Sequence, residues 1–146
     1  MLDLSKRRAL VTGASGGIGN AIAKNLHSQG AEVILSGTNL VSLRSLAAEL
    51  GEGATVIDCD LSDSIAIEEL IRKSYETLEG IDILINNAGL SRDNLMLRMT
   101  DDDWDKVLDV NLKATFRLSR SCLRLMLKQR YGRIINIIST SVKQPI

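Results

Sequence analysis

The sequence predicts an α/β domain built on a doubly wound parallel sheet. Three observations carry that prediction. The apolar run Ala9-Leu10-Val11 leads straight into Thr12-Gly13-Ala14-Ser15-Gly16-Gly17-Ile18-Gly19, a glycine turn that opens a helix. Short runs rich in Ile, Val and Leu recur along the chain with helical stretches between them. Those runs are nearly continuous in apolar residues rather than alternating, the pattern of strands covered on both faces.

The strands read as Arg8–Thr12, Ala31–Ser36, Ala54–Asp58, Ile81–Asn86 and Arg133–Ile138. The helices between them read as Ile18–Gln29, Leu40–Leu50, Asp63–Leu78 and Asp101–Arg130. Gly30 and Gly51 suit helix C-terminal stops, and Asn39, Ser62 and Thr100 suit N-caps. Asp101-Asp102-Asp103 complements the dipole of the last helix. Repeated strand–helix units wind right-handed, so the strand order is expected to be 3-2-1-4-5. Winding reverses between the first and fourth strands, and ligands bind at the carboxyl ends of those two. The glycine turn and Asn86-Asn87-Ala88-Gly89 both fall there.

Composition sets bounds rather than function. A chain of 146 residues reads as one domain, 1–146. Such a length buries roughly two-thirds of its unfolded surface. Lys plus Arg equals Asp plus Glu at 18 each, so no global field points to nucleic acid or to a membrane surface. No apolar run is long enough to span a bilayer, and Met1-Leu2-Asp3-Leu4-Ser5-Lys6 lacks a signal core; the expectation is a cytoplasmic protein. Cys59 and Cys122 read as buried thiols rather than a disulfide. The single histidine, His27, does not build a metal site alone and is expected on the outer side of the first helix. No metal is expected.

The glycine turn sets up a phosphate site. Gly13 permits a tight turn after the strand, Gly17 lets backbone approach a ligand, and Gly19 lets the helix pack close. Backbone N–H groups at such a helix start grip a diphosphate. The expected contacts are Gly13, Ala14, Ser15, Gly16, Gly17, Ile18 and Gly19, with the Ser15 hydroxyl on a phosphate oxygen. At the end of the second strand an acid would bond ribose hydroxyls and repel a 2′-phosphate. Gly37 stands there instead, which favours NADP over NAD, with Thr38 and Asn39 as neutral donors. Asn39 serves equally as a plain helix cap. Asp60-Leu61, after the third strand, reads either as an adenine contact or as a helix start.

Together these pieces resemble the short-chain dehydrogenase/reductase family. The matching residues are Thr12–Gly19, Asp60-Leu61, Asn86–Gly89, Asn111 in Val110-Asn111-Leu112-Lys113, and Ser139 after Gly132-Arg133-Ile134-Ile135-Asn136-Ile137. Within the family, the stretch Gly89–Met99 and Trp104…Val107…Asn111-Leu112-Lys113 look most like the 3-oxoacyl-[acyl-carrier-protein] reductases. The resemblance implies a Rossmann sheet without the family's C-terminal strands, a truncated dinucleotide-binding domain. Asn87, Ala88 and Gly89 would flank the coenzyme. The implied reaction is hydride transfer from a nicotinamide to a ketone. In the family a tyrosine donates the proton, a lysine one turn later supports it, a serine bonds the carbonyl oxygen and an asparagine orders a water relay. Ser139 matches that serine and Asn111 that asparagine.

The family's Tyr-x-x-x-Lys does not occur in this sequence; Tyr75 and Tyr131 have no lysine four residues on. The tail Ser139-Thr140-Ser141-Val142-Lys143-Gln144-Pro145-Ile146 departs from the glycine-rich tail usual in the reductases. An end at Ile146 would leave Ile134–Ile138 on an open edge, which invites pairing with another chain. The apolar stripe Val107, Leu108, Leu112, Leu118, Leu123 and Leu127 is expected to be partly uncovered, so self-association is expected. Trp104, Met96, Met99 and Phe116 read as core or interface. The expected substrate is carried on acyl carrier protein. Lys128, Arg130 and Arg133 suit either docking of that acidic carrier or a solvated basic helix end. Three functions stay open: an NADPH-dependent reductase of a 3-oxoacyl thioester, a nucleotide-binding module without turnover, and an interrupted product with no function of its own.

Overall fold

The computed structural model describes residues 3–139. Residues 1–2 and 140–146, which include most of the divergent tail, lie outside that range. Strands β1 (Arg8–Thr12), β2 (Glu32–Ser36), β3 (Ala54–Val56), β4 (Ile83–Asn86) and β5 (Arg133–Asn136) form one sheet in the order β3-β2-β1-β4-β5. Every pairing is parallel, with Leu10 opposite both Ile34 and Leu84. The expected order and parallel pairing hold.

Strand alternation distributes the core onto two faces. Ala9 and Val11 point to one face, where they meet Val33, Leu35, Ile83 and Ile85. Helices α1 (Gly17–Ser28) and α2 (Leu40–Leu50) cover that face through Ala23, Leu43 and Leu46. Leu10, Ile34 and Leu84 point to the other face. There α3 (Ser64–Leu78) packs Ile67, Leu70 and Ile71, and a later helix packs Leu118, Cys122 and Met126. Both faces being apolar explains why the strands read as unbroken hydrophobic runs.

Three elements differ from the sequence expectation, each for a local reason. The third strand ends early, at Val56, yet Ile57 N–H to the Leu35 carbonyl and Cys59 N–H to the Gly37 carbonyl, both 3.1 Å, keep the chain alongside β2. The cap of α3 is Asp63, whose carboxylate accepts from Ile65 N–H at 2.8 Å, not Ser62. Ser62 is taken by Asp60, to which it gives both its N–H at 2.9 Å and its hydroxyl at 2.7 Å. A cap accepts from an N–H just inside the helix, and the Ile65 N–H is taken by the Asp63 carboxylate, one residue nearer than Ser62.

The single helix expected over Asp101–Arg130 is α4 (Asp101–Leu108), a π-helical turn Asp109–Lys113, and α5 (Ala114–Gln129). A π turn inserts a residue and shifts every later side chain around the axis. Ala114, Leu118, Cys122 and Met126 then form the buried face, so Leu118 leaves the uncovered stripe and joins the core. Leu108, Leu112, Leu123 and Leu127 remain exposed, Leu127 at 69%. Trp104, Phe116 and Met96 stand on the surface and none packs in the core. Thr100 and Asn39 cap their helices as expected. His27 lies half-buried on α1 and bonds the Glu52 carbonyl at 2.7 Å, and both cysteines are free and buried.

An ion pair closes the amino ends of β1 and β4. Arg8 donates Nε and Nη2 to the two Asp82 oxygens at 2.8 and 2.9 Å, and its N–H to Asp82 Oδ2 at 3.1 Å. The Asp82 side chain is only 4% exposed. Burial raises its carboxyl, but the hydrogen bonds and charge of Arg8 outweigh that and hold it below its ordinary value. A depressed folded value stabilises the native state above the unfolded pKa, near about 4, and that contribution disappears as pH falls through the folded value. Asp82→Ala is expected to cost about 2–3 kcal/mol at neutral pH, because it strands Arg8. Urea melts across the acid range are expected to show a shallower loss of stability in Asp82→Asn than in the unaltered chain.

Candidate functional site

Backbone geometry builds the site where β1 and β4 end side by side. Gly13 takes φ +63°, and a Cβ on it would lie 2.8 Å from Ala88 Cα and 2.9 Å from Asn87 Nδ2. A Cβ on Gly19 would lie 2.6 Å from Asn87 Nδ2 and would also strike the Gly13 carbonyl. The turn and the loop after β4 are therefore as close as glycines permit. Gly17 is the reverse: nothing stands within 4 Å of a Cβ placed there.

Side-chain hydrogen bonds lock the two strand ends together. The Thr12 hydroxyl donates to the Ile85 carbonyl at 3.0 Å and accepts from the Asn87 and Ala88 N–H groups at 3.1 and 3.2 Å. Asn87 Nδ2 donates back to the carbonyls of Thr12 and Gly13 at 3.1 and 3.2 Å. Ala14 N–H donates to the Ser36 carbonyl at 3.0 Å and ties the turn to β2.

Helix α1 then begins with free amides. Its N-cap is Gly16, which offers no side-chain cap, whereas Asn39, Asp63 and Thr100 cap the next three α-helices. The first turn of bonding is Asn20 N–H to the Gly16 carbonyl at 2.8 Å. The N–H groups of Gly17, Ile18 and Gly19 precede it and have no intrahelical partner. They present the positive end of the helix dipole to whatever lies in front, the arrangement that binds phosphate.

In front lies a cavity of about 500 Å³. The glycine turn forms its floor through Gly13, Ser15, Gly16, Gly17, Ile18 and Gly19. Ser36, Gly37 and Thr38 line one side, and Cys59, Asp60 and Leu61 extend it. Asn87, Ala88, Gly89 and Leu90 form the opposite wall, with Val110 beside them. The volume and the open room before Gly17 fit an extended ligand with a diphosphate at its middle. Asp60 is held below its ordinary value by the hydrogen bonds from Ser62, so it is ionised at neutral pH. Burial, then the nearby aspartates, pushes the Cys59 thiol up to about 11, so it stays protonated.

Asn39 caps α2 and does not line this cavity; all but three of the other sequence-derived site residues converge on it. Ala14 is fully buried and does not line it. Asn111, in the π turn, accepts from Leu90 N–H at 2.8 Å and donates to the Leu90 carbonyl at 2.9 Å. It lines a smaller cleft of about 270 Å³ with Leu90, Met99, Trp104 and Val107. Ser139 is exposed, three residues past Asn136 at the end of β5. That end is tied to β4 by Ile137 N–H to the Asn86 carbonyl at 2.9 Å and by Asn86 Nδ2 to Asn136 Oδ1 at 2.8 Å. Thr12, Ser36, Cys59, Leu90 and Val110 line the cavity without having been singled out as contacts. Adjacency to Asp60 was the available signal for Cys59; Val110 arrives only through tertiary packing.

Comparison with known proteins agrees with this geometry. A family model described as short chain dehydrogenase matches residues 7–146. "Nodulation protein G" of Rhizobium sp. (strain N33) is 53% identical over 139 residues, 95% of this chain and 57% of that protein. "3-oxoacyl-[acyl-carrier-protein] reductase FabG" of Escherichia coli (strain K12) is 43% identical over 136 residues, 93% of this chain and 56% of that one. Among solved structures, a short chain dehydrogenase from Burkholderia cenocepacia J2315 in complex with NADP superposes with TM-score 0.85 and 34% identity, covering 92% of this chain and 56% of that one. The chain thus spans somewhat more than half the length of the curated relatives it matches.

The two kinds of glycine separate in their expected response to substitution. Gly17→Ala meets no atom and gains helix propensity, so stability in urea is expected to hold or to rise by up to about 1 kcal/mol. Its methyl occupies the room before the amides, so dinucleotide affinity measured by titration is expected to fall by on the order of tenfold or more. Gly19→Ala is expected to lose stability and binding together. A Gly17→Ala chain that binds as well as the unaltered one removes the phosphate role from this turn.

Proposed function

The chain belongs to the short chain dehydrogenase family, and from that premise we propose that it is the coenzyme-holding portion of an NADPH-dependent reductase of 3-oxoacyl thioesters. The observation that carries this reading is the uncapped start of α1 facing the cavity at the switch point of the sheet. The reductase name of the E. coli relative, and the NADP of the Burkholderia structure, support the finer assignment. No carboxylate stands at Gly37 to repel a 2′-phosphate.

Each residue has a role in this reading. Amides of Gly17, Ile18 and Gly19 hold the diphosphate, with Gly13, Gly16 and the Ser15 hydroxyl beside it. Asp60 and Leu61 take the adenine end, where both Ser62 bonds fall on Asp60 Oδ1 and leave Oδ2 as acceptor. Thr38 faces the ribose. Asn87, Ala88 and Gly89 form the wall beyond the diphosphate. The coenzyme, when bound, supplies hydride to a ketone carbon. The Ser139 hydroxyl donates to the ketone oxygen, where negative charge develops. Asn111 acts by ordering the loop at Leu90, its amide being committed to that backbone. The family's proton donor is not in this sequence, since no tyrosine here has a lysine four residues on. That observation favours a second reading, dinucleotide binding without turnover.

In its partners, the chain is read as taking an acyl-carrier-bound substrate, with no nucleic acid or membrane, in a cytoplasmic setting that suits two unpaired buried thiols. No helix among the described residues is long and apolar enough to cross a membrane. The exposed face of Trp104, Leu108, Leu112, Phe116 and Leu127 is read as a contact between two copies of the chain. Acidic Asp101, Asp102 and Asp103 in α4 and basic Arg117, Arg120 and Arg124 in α5 complement each other in an antiparallel pair.

Titration with NADPH, followed by addition of an acetoacetyl thioester, separates the readings. The reductase reading expects binding and thioester-dependent loss of NADPH absorbance. Binding with no such loss supports the second reading, and absence of binding sinks both. Sedimentation is expected to show a dimer that Phe116→Glu converts to monomer; a monomer in the unaltered chain ends the pairing proposal.

A further inference from the structure

Beside the large cavity lies the cleft of about 270 Å³ between the loop after β4 and α4. Leu90 lines both. In the reading above, Asp60 and Leu61 take the adenine end of the coenzyme, so its reacting end lies toward the opposite wall, where Leu90 stands. A substrate that meets the coenzyme there has the cleft as its adjoining space. Met99, Trp104 and Val107 join Leu90 in the lining, which is mostly apolar. Trp104 and Val107 stand three residues apart, on one side of α4. Most of the polar groups around them are already engaged. Asn111 spends its carboxamide on the Leu90 backbone, Asp103 accepts from the Thr100 hydroxyl at 2.9 Å, and Ser91 donates to Asp93 Oδ1 at 2.9 Å. Two carboxylates, Asp93 and Asp103, stand against one guanidinium, Arg92, so the lining does not favour an anion. What is left uncovered is apolar surface, with Trp104 at 58% exposure.

We propose that this cleft seats the acyl chain of the thioester, and that Met99, Trp104 and Val107 set the chain length it prefers. The proposal rests on the reductase reading above. An unbranched acyl chain carries no charge and no donor, which suits a lining of apolar side chains whose polar neighbours are spent on one another. Each methylene buried there contributes up to about fourfold in affinity. That gain stops where the chain outgrows the cleft, so length is read as an affinity that climbs and then levels. The hold of Asn111 on Leu90 fixes the wall that the two spaces share. Trp104 also belongs to the exposed face read above as a contact between copies, so the cleft adjoins that face.

Trp104 is the one tryptophan of the chain, so its emission reports on the cleft. The probes are saturated N-acetylcysteamine thioesters from butyryl to decanoyl, which carry no nucleotide to enter the coenzyme cavity. They are titrated against the chain at fixed protein concentration. Trp104 emission is expected to shift to the blue, with the dissociation constant falling by up to about fourfold per added methylene before it levels. Val107→Phe fills the cleft and is expected to abolish that dependence on length. Val107→Ala enlarges it and is expected to move the plateau to longer chains. NADPH titration of each variant, read at a cavity that Val107 does not line, is expected to match the unaltered chain and shows that the variant is folded. A response that is flat across the series overturns the proposal and leaves the reductase reading intact. So does a length dependence that persists in a Val107→Phe chain that binds NADPH. A response seen in Phe116→Glu but not in the unaltered chain shows that a second copy covers the cleft, and also overturns it. Failure of the unaltered chain to bind NADPH overturns the reductase reading, and with it the substrate assigned to the cleft.

Discussion

The structure turns on one cross-link, between the end of β1 and the end of β4. Two parallel strands whose crossovers depart in opposite directions part at their carboxyl ends, and the parting leaves backbone groups to be satisfied. Thr12 and Asn87 satisfy them for each other: one hydroxyl serves a carbonyl and two amides, and one carboxamide serves two carbonyls. This lock holds Gly13 against Ala88 at a distance that a side chain would prevent. It thereby fixes where α1 starts, and so where its free amides point. Loosening it would not merely weaken a strand pair; it would misdirect those amides.

Charge is placed at opposite ends of the sheet for different purposes. At the amino ends, Arg8 and Asp82 form a largely buried pair with two side-chain bonds and one from the backbone. Arg7 and Arg133 both lie over the ring of Tyr131, 3.9 and 4.9 Å from its centre. At the carboxyl ends the cavity is held by neutral groups and helix-start amides, with Asp60 as its only charged side chain among the described residues. Amides bind an anion without the desolvation cost that a buried cation carries. The fold thus keeps its buried ion pair at the end of the sheet opposite the cavity.

The π turn links the helical layer to the loop after β4. Asn111 uses its carboxamide as a strand uses its backbone, accepting from and donating to the same residue, Leu90. Leu90 lines the large cavity and the small cleft alike. A residue matched to a catalytic asparagine is therefore, in this chain, first a clamp on the loop that walls the cavity. The extra residue of the π turn also sets which leucines of α5 face inward, so one local insertion decides both loop position and surface character.

Local sequence was enough for the strand order, both glycine-turn neighbours, two of three proposed side-chain caps and most of the cavity lining. Those features depend on apolar runs, on glycine at positions where a Cβ has no room, and on short polar residues before helices, all readable within a few residues. Tertiary structure decided the rest. It divided the long helix at Asp109–Lys113, turned Leu118 inward and brought Val110 to the cavity. It left Trp104 and Phe116 outside the core despite their size. In each case the outcome depends on competition between groups, or on the rotation of one element against another, and neither quantity is present in a residue's immediate neighbours along the chain.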